Sequence, residues 1–159
     1  MLSQVLIIDK RKELSTKYKK SLEDEQTSVS VARTLKDAIK LIRVIEPDLI
    51  IVSDTIEEEL TNFCEKIRTL TYNTRPIIIA VSKSADFNDR INVLSSGADD
   101  FLSEPVNIEE FKMRIKAHLR RDIELNLDSV TQIPNKKYTQ KALRRLLNSD
   151  NKYSVLLVG

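Results

Sequence analysis

The chain has 159 residues, 41% of them hydrophobic and 31% charged, with a formal net charge of +2. Those values fit one globular domain plus an appendage, neither disordered nor membrane-embedded: the longest aliphatic run, Ile77-Ile78-Ile79-Ala80-Val81, is far short of the ~20 residues of a membrane helix, and the polar turn at Asp9 leaves no signal-peptide core, so a cytoplasmic location is expected. One cysteine, one histidine and two glycines exclude a disulfide framework, a multi-cysteine zinc site, a histidine-based metal centre or triad, and a glycine-rich phosphate loop.

Short apolar runs alternate with helical periodicities. Val5-Leu6-Ile7-Ile8 predicts a strand, and Leu14, Tyr18 and Leu22 share one face of a helix over 11–24. Val29 and Val31 mark a second, weaker strand. Thr34 is placed as an N-cap with Asp37 at the third helical position, close to a capping box. Leu35, Ala38, Leu41, Ile42 and Ile45 follow as a helical stripe that Pro47 stops. Leu49-Ile50-Ile51-Val52 is the third strand. Glu57, Glu58 and Glu59 are read as opening the next helix, where carboxylates favour the positive end of the dipole, with Leu60, Phe63, Cys64, Ile67 and Leu70 as its core stripe. Pro76 precedes the fourth strand, 77–81. Asp86 caps a helix carrying Ile91 and Leu94 that ends at Gly97, Phe101 and Leu102 lie in a fifth strand, and Asn107 caps a last helix with Ile108, Phe111, Ile115 and Leu119 inward.

Continuous apolar strands are buried on both faces, as in a parallel sheet. Five strand–helix units with short loops predict an α/β doubly wound sandwich, whose function sits beyond the carboxyl ends of the strands. The positions to inspect are Asp9-Lys10, Ser53-Asp54, Val81-Ser82 and Glu104-Pro105.

At those four strand ends the chain resembles the response-regulator receiver family. The matching segments are VLIID at 5–9, PDLIIVSD at 47–54, RPIIIAVS at 75–82 and GADDFLSEPVNIEEFKMRIKAHLRR at 97–121. The resemblance covers about residues 1–122 and implies a five-stranded parallel sheet in flavodoxin-like order 2-1-3-4-5. It further implies transfer of a phosphoryl group from a histidine kinase to an aspartate after the third strand. Two acids after the first strand would hold Mg²⁺, and a hydroxyl and a lysine after the fourth and fifth strands would bind the phosphoryl oxygens.

The sequence departs from that pattern at each strand end. Asp9 matches the first acid, but Lys10 stands where the second belongs. Ser53 occupies the nucleophile's slot, and Asp54 follows one residue late, pointing by strand alternation to the other face. Val81 replaces the hydroxyl residue, with Ser82 one residue late, and Glu104 replaces the lysine before Pro105. Residues 1–122 are therefore expected to be a pseudo-receiver with no intact catalytic set and no metal or cofactor. Lys10 is expected either to pair with Asp9, Asp54 or Glu104 or to be solvated. The alternative is a slip at Ser53 that turns Asp54 into the pocket as a Mg²⁺-dependent phosphoacceptor. Phe101 matches the family's aromatic switch position, with packing as its expected role, and Glu104-Pro105 is open to either peptide isomer. His118 is read as a surface or boundary residue and Cys64 as a small core hydrophobe.

Ile115, Leu119, Ile123 and Leu127 recur every four residues, so the last receiver helix is expected to run past 121 as a linker, 123–134, that offers a dimer seam. Residues 128–159 carry six cationic against two acidic side chains, read as the polar face of an amphipathic helix rather than a nucleic-acid surface, since no aromatic residues interleave. This stretch resembles the opening of a GGDEF (diguanylate cyclase) domain in Asp128, Val130, Thr131, Ile133, Pro134, Asn135, Lys136 and Lys137, with Gln132 in place of a glycine. A helix near 135–148 and a strand near 153–158 are expected, making 135–159 a partial α+β fragment that lacks the GGDEF signature and is not itself an enzyme. The expected partners are the chain's own GGDEF-like domain, a second copy through the fourth helix, fifth strand and fifth helix, and a histidine kinase, with neither nucleic acid nor membrane.

Overall fold

The computed structural model describes residues 2–148. Five strands, β1 (Ser3–Ile8), β2 (Thr27–Ala32), β3 (Leu49–Ser53), β4 (Ile77–Ser82) and β5 (Asp100–Ser103), form one sheet in the order β2-β1-β3-β4-β5 with every pairing parallel. Helices α1 (Lys12–Leu22), α2 (Leu35–Ile45), α3 (Leu60–Leu70), α4 (Phe87–Ser95) and α5 (Ile108–Leu125) follow the strands in turn, and α6 (Lys136–Leu147) comes after them. The order is the doubly wound one expected from the sequence. No helix among the described residues is long and apolar enough to cross a membrane.

Strand parity sorts the core into two layers. Leu6, Ile8, Ile50, Val52, Ile78 and Ala80 pack with residues of α2, α3 and α4, including Ile42, Phe63 and Val93. Val5, Ile7, Leu49, Ile51, Ile79 and Val81 pack with Tyr18 and Leu22 of α1 and Phe111, Ile115 and Leu119 of α5. The rings of Tyr18 and Phe111 stack with centroids 4.2 Å apart, tying α1 to α5. Burial on both faces is why the central strands β1, β3 and β4 carry aliphatic runs, while the edge strand β2 alternates Ser28 and Ser30 with Val29 and Val31.

Caps form where short polar side chains precede the helices. Thr34 accepts from the Asp37 amide, Asp86 from those of Asn88 and Asp89, and Asn107 from those of Glu109 and Glu110. The α2 helix ends before Pro47 with Glu46 in the left-handed region at φ 43°. Two expectations need correction. Of the three glutamates only Glu59 meets α3, as its N-cap residue; Glu57 and Glu58 lie in the preceding loop, where Glu57 pairs with Lys10 and Glu58 with Lys66. On α4 the buried residue is Val93, while Ile91 and Leu94 are exposed, as is Leu70 at the end of α3. The turn after α4 needs Gly97, whose φ is +116° and whose missing side chain leaves room for Arg68.

Helix α5 runs past 121 to Leu125, and α6 matches the helix expected near 135–148. The strand expected near 153–158 lies outside the described residues. The basic side chains of α6 do not form a purely solvated face: Lys141 is buried, and with Arg144 and Arg145 it is turned onto the receiver at Glu46 and Asp48.

Candidate functional site

The carboxyl ends of β1, β3 and β5 meet on the layer facing α1 and α5. Parity puts Asp9, two residues beyond Ile7, and Ser53, two beyond Ile51, on that layer, and both are buried. Glu104 follows β5 and is joined to Pro105 by a cis peptide bond, which settles the isomer left open by the sequence.

The cation among these groups is Arg11, the N-cap residue of α1. Its Nε donates to Asp9 Oδ1 at 3.0 Å and its Nη2 to Asp9 Oδ2 at 2.7 Å, one fork across one carboxylate. Its Nη1 donates to Glu104 Oε2 at 2.7 Å and Nη2 to Glu104 Oε1 at 2.8 Å, a second fork. Nη2 also donates to Ser53 Oγ at 2.9 Å. A planar guanidinium with five fixed donors suits two carboxylates at once, as an ammonium does not. The hydrogen bonds to Asp9 and then Glu104 raise the Arg11 pKa further, so the group stays charged at every accessible pH. The Arg11 backbone amide also donates to Asp9 Oδ1 at 2.8 Å, and Thr55 Oγ donates to the same oxygen at 3.1 Å, closing Asp9 on all sides.

Of the two expectations for Lys10, pairing inside the pocket and lying in solvent, the pocket pairing is not what forms. The Lys10 ammonium turns outward to Glu57 at 2.8 Å, between two half-exposed side chains, where a salt bridge contributes little. It pairs with none of Asp9, Asp54 or Glu104. In the sequence Arg11 stands at the start of a helical pattern, which gives no sign of its place among the strand ends. The available signal was three successive cations after Asp9, Lys10, Arg11 and Lys12, of which only the forked Arg11 reaches across three strand ends.

Ser53 and Asp54 part at the end of β3. Ser53 joins Arg11, while Asp54 turns to the α3–α4 side, as alternation requires. There Asp54 Oδ2 accepts from Ser82 Oγ at 2.7 Å and from the Lys83 amide at 2.8 Å. Ser82 thus serves Asp54 and not the Arg11 cluster, and Val81 is buried on the α5 layer. The Asp54 amide continues the ladder to the Val81 carbonyl at 3.0 Å, so β3 carries no slip there. Asp54, Ser82 and Phe101 border a cavity of about 420 Å³ with Glu58, Glu59 and Asp89. Phe101 is buried beneath the Arg90 guanidinium, which lies 5.6 Å from its ring centroid. His118 sits at the boundary beside Asp100, with Nε2 3.3 Å from Oδ2. Cys64 is buried, and its thiol is pushed up to about 11 by that burial.

A five-stranded parallel sheet of this order, with acidic groups gathered at its carboxyl end, defines a receiver-type signalling fold. Residues 5–116 match the family model described as the response regulator receiver domain, and the chain belongs to that family. It is 37% identical over 127 residues to Response regulator GtcR of Aneurinibacillus migulanus, covering 79% of this chain and 51% of that protein. It is 31% identical over 122 residues to Transcriptional regulatory protein YvrH of Bacillus subtilis (strain 168), covering 75% of this chain and 50% of the relative. Among solved structures, a two-component response regulator from Clostridium difficile is 32% identical with a TM-score of 0.69, covering 75% of this chain and 97% of that one. The chain therefore spans about half the length of the curated relatives it matches.

The Mg²⁺ that the family's phosphoryl chemistry requires does not fit this donor set. A hard cation needs several oxygen ligands free to point at it. Here Asp9 is the one acid after β1, both of its oxygens face Arg11, and the second acid position holds Lys10. A guanidinium already occupies the space between Asp9, Ser53 and Glu104.

Proposed function

We propose that this receiver domain works without phosphorylation, acting through protein contact or dimerisation on an attached output segment. The observation that carries the reading is the double fork of Arg11 on Asp9 and Glu104, an internal cation where the family's chemistry calls for Mg²⁺ and a phosphoryl group. In this reading Asp9, Lys10, Ser53, Val81 and Glu104 are the remains of the phosphorylation pocket, and Phe101 and Pro105 serve the α4–β5–α5 face through which two copies would meet. A phosphoryl group arriving beside Ser53 would meet the Glu104 carboxylate, a like-charge approach worth about 1–4 kcal/mol at ~4 Å for effective dielectrics of 80 to 20.

The output is proposed to be of the GGDEF type, supported by the Asp128-to-Lys137 pattern and the helix that follows it. The chain's similarity to Transcriptional regulatory protein YvrH makes a transcriptional output the competing reading. An intact Gly-Gly-(Asp/Glu)-Glu-Phe motif in the full-length gene product separates the two. Phosphorylation is tested by incubating the protein with acetyl phosphate and Mg²⁺ and weighing it intact. No added phosphoryl mass is expected. An adduct on the wild type that disappears in Asp54→Asn would overturn the proposal in favour of Asp54 as phosphoacceptor.

A further inference from the structure

The amino-terminal end of the sheet, away from the Arg11 cluster, carries an ionic contact that the receiver chemistry does not use. Helix α2 ends there, so the carbonyls of Ile45 and Glu46 and the negative end of the helix dipole point outward. Asp48 immediately precedes β3, and its Oδ2 accepts from the Gln4 amide of β1 at 2.7 Å. Onto this anionic patch α6 places three cations spaced for one helical face, Lys141, Arg144 and Arg145. Lys141 Nζ reaches Asp48 Oδ1 at 2.6 Å. Arg145 Nη2 reaches Asp48 Oδ2 at 2.9 Å and the Glu46 carbonyl at 2.6 Å, while its Nε donates to the Ile45 carbonyl at 3.1 Å. Arg144 Nε donates to both carboxylate oxygens of Glu46, at 2.9 and 3.2 Å.

We propose that α6 is a charge-held latch: a basic helix that docks reversibly on Glu46 and Asp48, fixes the post-receiver segment at the amino end of the sheet, and lets go when its cations are screened.

Two features make the contact reversible. Tyr138 is the one buried hydrophobic residue that α6 contributes among the described residues, so the apolar share of the contact is small. The Lys141 and Arg145 pairs with Asp48 are largely buried and the Arg144 pair with Glu46 is partly exposed; such pairs specify a docking geometry more than they add net stability, because every group regains water on release. The connector is a closed turn that supports the docked position without anchoring α6 in the core. Asn135 N donates to the Asn126 carbonyl at 2.8 Å, and Asp128 Oδ1 gathers the amides of Val130 and Thr131. Asp122 of α5 lies in the same electrostatic neighbourhood: burial and then the Asp48 charge push its pKa up, while Lys141 and Lys137 pull it down.

Hydrogen exchange on the 159-residue chain tests the latch, with the amides of β1 and β3 as the internal measure of receiver integrity. In about 50 mM NaCl the α6 amides are expected to be protected, and about 500 mM NaCl should cut that protection at least about fivefold with the sheet unchanged. Arg145→Glu is expected to lower it at least about tenfold. Arg144→Glu should act likewise, and pairing it with Glu46→Arg should restore protection. Should Arg145→Glu disturb the sheet, the salt series and the Arg144/Glu46 exchange carry the test. Protection in α6 that ignores both salt and charge reversal would show that packing holds the helix, and unprotected α6 amides in the wild type at low salt would show that it does not dock; either result overturns the proposal.

Discussion

Removal of Arg11 is the most direct probe of the site. Arg11→Ala deletes five side-chain hydrogen bonds of 2.7–3.0 Å and leaves Asp9 and Glu104, whose side chains are 1% and 9% exposed, without their cation. Breaking a buried ion pair from one side costs about 3–5 kcal/mol, because a charge remains in the low-dielectric interior. The Arg11 side chain is itself 27% exposed, so water enters the vacated space, and the lower end, about 3 kcal/mol, is expected. Urea unfolding followed by circular dichroism measures this; with a slope of about 1.5 kcal/mol/M the midpoint should fall by about 2 M. A cycle with Glu104→Ala should give a coupling of about 1–3 kcal/mol, since the double variant no longer strands Glu104. An Arg11→Ala midpoint within about 0.3 M of the wild type, or zero coupling, would refute the claim that the guanidinium organises the strand ends.

Further expectations follow from the same packing. Gly97→Ala should destabilise by about 1–3 kcal/mol in urea titration, because φ +116° is strained for alanine and the new Cβ would lie 2.8 Å from Arg68 Cγ. Phe111→Ala should cost about 3–5 kcal/mol, losing a fully buried ring and its stack on Tyr18, with thermal unfolding as the readout. Burial raises the Cys64 thiol from 9.0 to about 11, so the folded state holds its proton more tightly than the unfolded chain does. That stability is complete below pH 9 and is lost as pH rises through 11. The wild type should therefore lose about 2–3 kcal/mol more than Cys64→Ala across that window in urea titrations, and parallel curves would contradict it.

The fold was legible because β1, β3 and β4 carry aliphatic runs and three helices announce themselves with Thr34, Asp86 and Asn107 caps. These are local signals, and they survive into the structure. The parting of Ser53 and Asp54 was legible too, since a strand's alternation needs no tertiary information. Arg11 was not. Its role depends on three loops meeting in space, and Lys10 beside it offers the same charge one residue earlier. Glu57–Glu59 misled for a related reason: carboxylates suit a helix start, yet Lys10 and Lys66 claim two of them in the loop. The basic residues of α6 were legible as one helical face, but their acidic counterparts at Glu46 and Asp48 lie more than ninety residues away in sequence.

The double fork also makes distant positions interdependent, since one guanidinium serves both Asp9 and Glu104. Losing Arg11 strands both acids, and exchanging Glu104 for lysine sets an ammonium against the guanidinium. Positions 11 and 104 are therefore tied across ninety-three residues of sequence, and a change at either one is best tolerated when the other changes with it.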